Sequence, residues 1–138
     1  MALPEKIHLE IVTPEKQLFS GDVDSLTVPS AGGYMGILPG HAPLLAELGI
    51  GEISYTAGGH TEYMFCSWGF LEVLPGRVVI LAQAAELASD IDIKRAEEAK
   101  VRAEKMLTSG DPGVDYAAAQ LSLIRAISRI EAHRRKKV

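Results

Sequence analysis

The pattern of this chain changes character once, near Ser89, and that change fixes its layout. Before it, apolar residues come in short runs broken repeatedly by Gly and Pro. Ile7, Leu9 and Ile11 alternate with His8 and Glu10, the period of a half-buried strand. Thr13-Pro14-Glu15 ends that run. Val23, Leu26 and Val28 form another, closed by Pro29, and further runs cover 43–48, 52–56, 62–66, 70–74 and 77–82. Gly32-Gly33, Pro39-Gly40, Gly58-Gly59 and Pro75-Gly76 are turn signals between them. Gly58-Gly59 predicts a tight hairpin. Many short strands with frequent turns predict a β-sandwich or barrel.

After the change, residues 90–108 contain no Pro or Gly and are rich in Ala, Glu, Lys and Arg, all good helix formers. Ser89 or Asp90 is the expected N-cap. Ala96, Ala99, Ala103 and Met106 share one face at helical spacing. Ser109-Gly110-Asp111-Pro112-Gly113 stops this helix. Asp115 then caps a second helix running to about Arg135, with Ala117, Leu121, Ile124, Ile127 and Ile130 on its apolar face. So short a link makes the helices antiparallel. An alanine-lined pair buries little apolar area, at ~25 cal/mol per Å². It must therefore dock on something, and a weakly held element is the basis of a switch.

Charge divides at the same place. Residues 1–88 carry three Lys/Arg against ten Asp/Glu, and residues 89–138 carry eleven against eight. The basic part can lie on the acidic part or leave it for an acidic partner. A single cysteine, Cys66, excludes an internal disulfide and is read as a buried small hydrophobe. The N-terminal residues do not read as a secretory signal. No apolar run approaches the ~20 residues of a membrane helix.

No catalytic constellation emerges. There is no P-loop, no dinucleotide fingerprint and no nucleophile elbow around Ser67. His8, His41, His60 and His133 lack metal-ligand spacing, so no metal is expected. The arginines carry more information. Arg95 and Arg102 are seven apart and share a helical face; Arg125 and Arg129 are four apart on the second helix. Either these form an exposed basic face, or the closed pair aims them at one phosphate chain. Asp92, just before Arg95, either accepts from an amino group of a ligand or favours its helix N-terminus. Spacing alone leaves both open. The basic stretch from His133 to Lys137 reads as a solvated helix end or as a contact for nucleic acid. Only Tyr116 supplies an aromatic ring in the helical part, too few for base stacking.

Several segments together resemble the epsilon subunit of F-type proton-translocating ATP synthases. They are Leu26-Thr27-Val28-Pro29, then Gly36-Ile37-Leu38-Pro39-Gly40-His41-Ala42-Pro43-Leu44-Leu45, Gly69-Phe70-Leu71-Glu72-Val73, Val78-Val79-Ile80-Leu81-Ala82, and Ile91-Asp92 followed by Arg95-Ala96. The likeness runs in order along nearly the whole chain. It implies a sandwich of about ten short strands over residues 1–86, binding stalk and ring, and a regulatory antiparallel helical hairpin over 87–138. It implies a non-catalytic central-stalk subunit with no required cofactor, coupling proton-driven rotation to ATP synthesis. Its implied partners are the gamma subunit, the c-subunit ring through a turn including Gly36, Pro39, Gly40, His41, Ala42 and Pro43, and the alpha and beta subunits when the hairpin extends and inhibits hydrolysis. Nucleic acid is not among them; the alternative is a free-standing module whose basic hairpin contacts nucleic acid. Residue by residue, a regulatory ATP site falls on Glu86, Ile91, Asp92, Arg95, Ala96, Arg102, Arg125 and Arg129. The implied location is the cytoplasmic face of a bacterial inner membrane, reached only through the complex. The turn at 31–35 lacks the glutamates common in this family, which removes an acidic ring contact there.

Overall fold

The computed structural model describes residues 3–135. Among the described residues seven strands form one sheet: β1 (Ile7–Val12), β2 (Gln17–Val23), β3 (Ser25–Ser30), β4 (Gly33–Ile37), β5 (Leu44–Ala57), β6 (His60–Leu74) and β7 (Arg77–Leu87). Their order is β2-β1-β7-β6-β5-β3-β4. The β1–β7 pair is parallel and the others are antiparallel. The sheet folds over so that β2, at one edge, meets β5. The rings of Phe19 and Tyr55 lie 4.4 Å apart there, and Asp24 N–H donates to the Thr56 carbonyl at 2.7 Å. The enclosed faces make one core that includes Ile7, Leu9, Ile11, Val28, Ile53, Met64, Leu71 and Ile80. This is the sandwich architecture expected, and β1 buries every second residue as its alternation requires.

The strands are fewer and longer than the roughly ten short ones expected. The runs 43–48 and 52–56 join as β5, and 62–66 and 70–74 join as β6. The intervening glycines are sites of close approach rather than breaks. A Cβ on Gly51 would lie 2.5 Å from the Tyr34 hydroxyl, and one on Gly69 would lie 2.0 Å from the Leu81 carbonyl oxygen. Gly58 and Gly59 do make a turn. Both have positive φ, +59° and +82°, as a two-residue hairpin of this hand demands.

A 3₁₀ turn (Ala88–Asp90) leads into α1 (Ile93–Thr108), and α2 (Tyr116–Arg135) follows. The N-cap of α1 is Asp92, whose Oδ1 accepts from Arg95 N–H at 3.1 Å, rather than Ser89 or Asp90. The reason is Ile91. It is buried with Phe65 and Ala132, which pins the chain before helix can begin. Asp115 caps α2 as expected, accepting from Ala118 N–H at 3.0 Å.

The buried residues of the two helices are all alanines: Ala96, Ala103, Ala119, Ala126 and Ala132. α2 lies on β5 and β6, and α1 packs on α2. The expected apolar faces are only partly the buried ones. Met106, Ile124 and Ile127 remain 43%, 39% and 40% exposed, and Ala117 is exposed too. Alanine wins the interface because it lets helix backbones approach closely; the branched chains are left on the flanks.

A candidate anion-binding site under the helical pair

Glu86 stands near the end of β7, opposite Phe65 on β6. Phe65 is buried, and the Arg129 guanidinium from α2 lies over its ring, 4.2 Å from the centroid. Arg129 Nε also donates to Glu86 Oε1 at 2.5 Å. A cation on an aromatic face and a short charge-assisted hydrogen bond thus fix one guanidinium at the seam between helix and sheet. On α1, Arg95 and Arg102 project from the same face, as their spacing of seven requires.

These elements enclose a cavity of about 540 Å³. Arg95, Arg102 and Arg129 line it together with Glu86, Asp92 and Ala96. Asp90 and Ala99 complete the lining. Ala99 sits one turn beyond Ala96, a periodicity that could have flagged it; Asp90 and Phe65 carried no such signal. Asp92 spends Oδ1 on the helix cap. Among the described residues Arg95 and Arg102 form no ion pair. Arg129 is matched by Glu86, whereas Arg95 and Arg102 have no carboxylate within ion-pair distance among the described residues, although Asp90 and Asp92 share the cavity lining. Such a cavity suits an anion long enough to touch both helices.

Two residues of the expected set lie elsewhere. Ile91 is buried beneath the site, in the cluster with Phe65 and Ala132. Arg125 is half-buried one turn before Arg129 and does not line the cavity. The basic stretch is also engaged: Arg134 pairs with Glu131 at 3.2 Å and Arg135 with Glu52 at 3.5 Å, while Lys136 and Lys137 lie outside the described residues.

Of the residues expected in the partner-binding turn, Pro39, Gly40, His41, Ala42 and Pro43 lie between β4 and β5, at the other end of β7, whereas Gly36 lies within β4 and pairs with Thr27. Gly40 N–H donates to the Pro75 carbonyl at 2.7 Å, just before β7 begins. Ten residues of strand separate that point from Glu86, roughly 30 Å. Gly36, Ala42 and Pro43 are exposed; Pro39, Gly40 and His41 are half-exposed. His41 Nδ1 lies 2.7 Å from the Ala42 carbonyl. Leu3, Leu38 and Leu45 are exposed around this end. On the outward face of the sheet, Phe70 and Leu81 are cross-strand neighbours and both exposed, an apolar patch on β6 and β7. Cys66 is fully buried, and burial pushes its thiol up to about 12.

Residues 6–88 match the family model described as the ATP synthase delta/epsilon chain, beta-sandwich domain, and residues 89–133 match that of its long alpha-helix domain. The ATP synthase epsilon chain of Nitratidesulfovibrio vulgaris is 46% identical over 128 residues, 93% of this chain and 96% of that protein. The one from Koribacter versatilis is 51% identical over 110 residues, 80% of this chain and 78% of that protein. Among solved structures, a chain of the Euglena gracilis mitochondrial ATP synthase (OSCP/F1/c-ring, rotational state 1) superposes with a TM-score of 0.83. It is 24% identical, over 96% of this chain and 83% of that one, and so bears on fold alone.

Proposed function

This chain belongs to the ATP synthase delta/epsilon family, and from that premise we propose that its helical pair is a mobile inhibitory arm held closed on the sheet by ATP. It is an epsilon chain, a non-catalytic stalk subunit of an F-type ATP synthase, serving ATP synthesis and ion transport. The observation that carries the proposal is the convergence of Arg95, Arg102 and Arg129, from two helices, on one cavity floored by Glu86.

ATP suits this cavity on physical grounds. Its volume falls within the ~300–1,000 Å³ of small-molecule sites. Three guanidiniums match a triphosphate, and Asp92 and Glu86 can accept from the adenine amino group. ATP held by Arg95 and Arg102 of α1 and Arg129 of α2 ties both helices to the end of β7. Ligand that binds only the closed form stabilises it by RT ln(1 + [L]/Kd), about 2.7 kcal/mol at a hundred times Kd. Without ATP the arm leaves the sheet. Its exposed flank residues Ile124, Ile127 and Met106 then supply apolar contacts to gamma and to the alpha and beta subunits, and hydrolysis is restrained.

The sandwich is the anchor. The gamma subunit covers the outward patch around Phe70 and Leu81, and the c-subunit ring meets the turn at 36–43 with its leucine rim. No helix among the described residues is long and apolar enough to cross a membrane. As a member of the complex, the chain is held at the cytoplasmic face of the bacterial inner membrane.

Two experiments test this. Calorimetry on the full chain and on Arg95→Ala should give heat with ATP only for the former; no heat at millimolar ATP removes the sensor. Deleting residues 89–138 should release hydrolysis in the reassembled complex at low ATP; unchanged hydrolysis removes the inhibitory arm.

A further inference from the structure

A second contact between arm and sheet lies on the far side of Phe65 from the cavity's arginine, and it is built unlike the first. Glu52 on β5 faces α2, with its side chain only 14% exposed. Its Oε1 is buried and has no hydrogen-bond partner. The nearest cation is Arg135, whose Nε lies 3.5 Å from that oxygen, close enough for attraction but without a hydrogen bond. Glu131, one turn earlier on α2, adds like charge, although Arg134 shares it at 3.2 Å. From the sheet side come the buried Cys66 thiol and the Tyr34 hydroxyl, which takes the Glu52 backbone N–H at 3.1 Å. His133, on the same turn of α2, has a buried Nδ1 with no partner.

We propose that closure of α2 on the sheet takes up a proton at Glu52, so that the arm docks more firmly as pH falls. The inference goes beyond ATP sensing but rests on the reading that the arm undocks. A carboxylate with one oxygen, Oε1, buried and given no hydrogen bond loses more there than an imperfectly placed guanidinium returns. Burial raises the Glu52 carboxyl above its ordinary 4.5, with Glu131 acting in the same direction and Arg135 against it. In the undocked arm the carboxyl is hydrated and titrates near the ordinary value. The sign follows. The docked form holds the proton to higher pH, so docking strengthens as pH falls through the raised value towards 4.5 and levels off below it. One proton limits the change to about tenfold in the docked-to-undocked ratio per pH unit. The first contact is built differently: there the Arg129 Nε donates a hydrogen bond to the Glu86 carboxylate.

The test places spin labels at His60→Cys on the sheet and Gln120→Cys on α2 in the full-length chain. Buried Cys66 stays unlabelled. Pulsed dipolar distances, measured between pH 5 and 8 without ATP, should show the undocked population growing with pH. Glu52→Gln should hold the acid-side ratio at every pH, and His133→Asn should keep the wild-type slope. An undocked population with the same slope in Glu52→Gln, with no slope in the parent, or with the slope lost in His133→Asn overturns the proposal. A single docked distance at every pH is the failure of the mobile-arm reading instead. In that case carbon-13 titration of the Glu52 carboxyl in the same chain decides: titration above the ordinary glutamate range upholds proton uptake, and titration at or below it overturns it.

Discussion

Replacing Arg129 by Ala removes the best-defined bond between arm and sheet, and its cost can be worked from the geometry. The side chain makes two contacts. One is the 2.5 Å hydrogen-bonded pair with Glu86, in which both side chains are about one-third exposed. A partly solvated pair of this kind contributes about 0.2–1 kcal/mol after screening. The other is the guanidinium 4.2 Å above buried Phe65, worth about 0.5–2 kcal/mol as desolvation increases. Glu86 is open enough to hydrate once alone, so no large penalty for a stranded charge follows. Together the loss is about 1–3 kcal/mol, or roughly 5- to 150-fold in the docked-to-undocked ratio. Limited trypsin digestion reads that ratio, because cleavage of a transiently opened segment tracks its population when closure is fast. Cleavage after Lys94, Lys100 and Lys105 of α1 should accelerate by that factor in Arg129→Ala. It should barely change in Arg125→Ala, since Arg125 forms no ion pair among the described residues. Equal acceleration in both variants, or none in Arg129→Ala, would refute the view that this contact holds the arm.

Three further outcomes are expected. Asp92→Ala removes the cap of α1 and should cost about 1 kcal/mol, seen as lost helical ellipticity and faster exchange of the Arg95 amide. Gly69→Ala should prevent folding or sharply lower the melting temperature, because its Cβ would stand 2.0 Å from the Leu81 carbonyl at a φ of +135°. Cys66, buried with its thiol pushed up to about 12, should resist iodoacetamide at pH 8 in the folded chain and react at once in urea.

Much of this molecule can be read before its structure is seen, because local rules and the fold agree. The alternation of Ile7, Leu9 and Ile11, the turn at Gly58-Gly59 and the cap at Asp115 each need only neighbouring residues to decide them. The charge imbalance anticipates the Arg129–Glu86 and Arg135–Glu52 pairs, since a basic pair of helices on an acidic sheet must bring such partners together. What escapes local reading is set by distant packing. Gly51 and Gly69 look like strand breaks, yet Tyr34 and Leu81 approach them from elsewhere in the fold. The first helix begins at Ile93 because Ile91 is buried against Phe65, a residue 26 positions earlier. Helical periodicity placed Ile124 and Ile127 on an apolar face, but the alanines beside them pack more closely and take the interface. The cavity follows the same division. Arg95 and Arg102 share a face by spacing alone, whereas Phe65 beneath Arg129 is supplied by a strand with no motif to mark it.

The central claim is that two alanine-lined helices rest on the sheet through a few contacts, which ATP tightens. Amide hydrogen exchange of the full-length chain, with and without millimolar ATP, tests it most directly. Amides of α1 and α2 should exchange well before those of β5 and β6, and ATP should slow the helices while leaving the strands unchanged. Helices as slow as the central strands, indifferent to ATP, would contradict it.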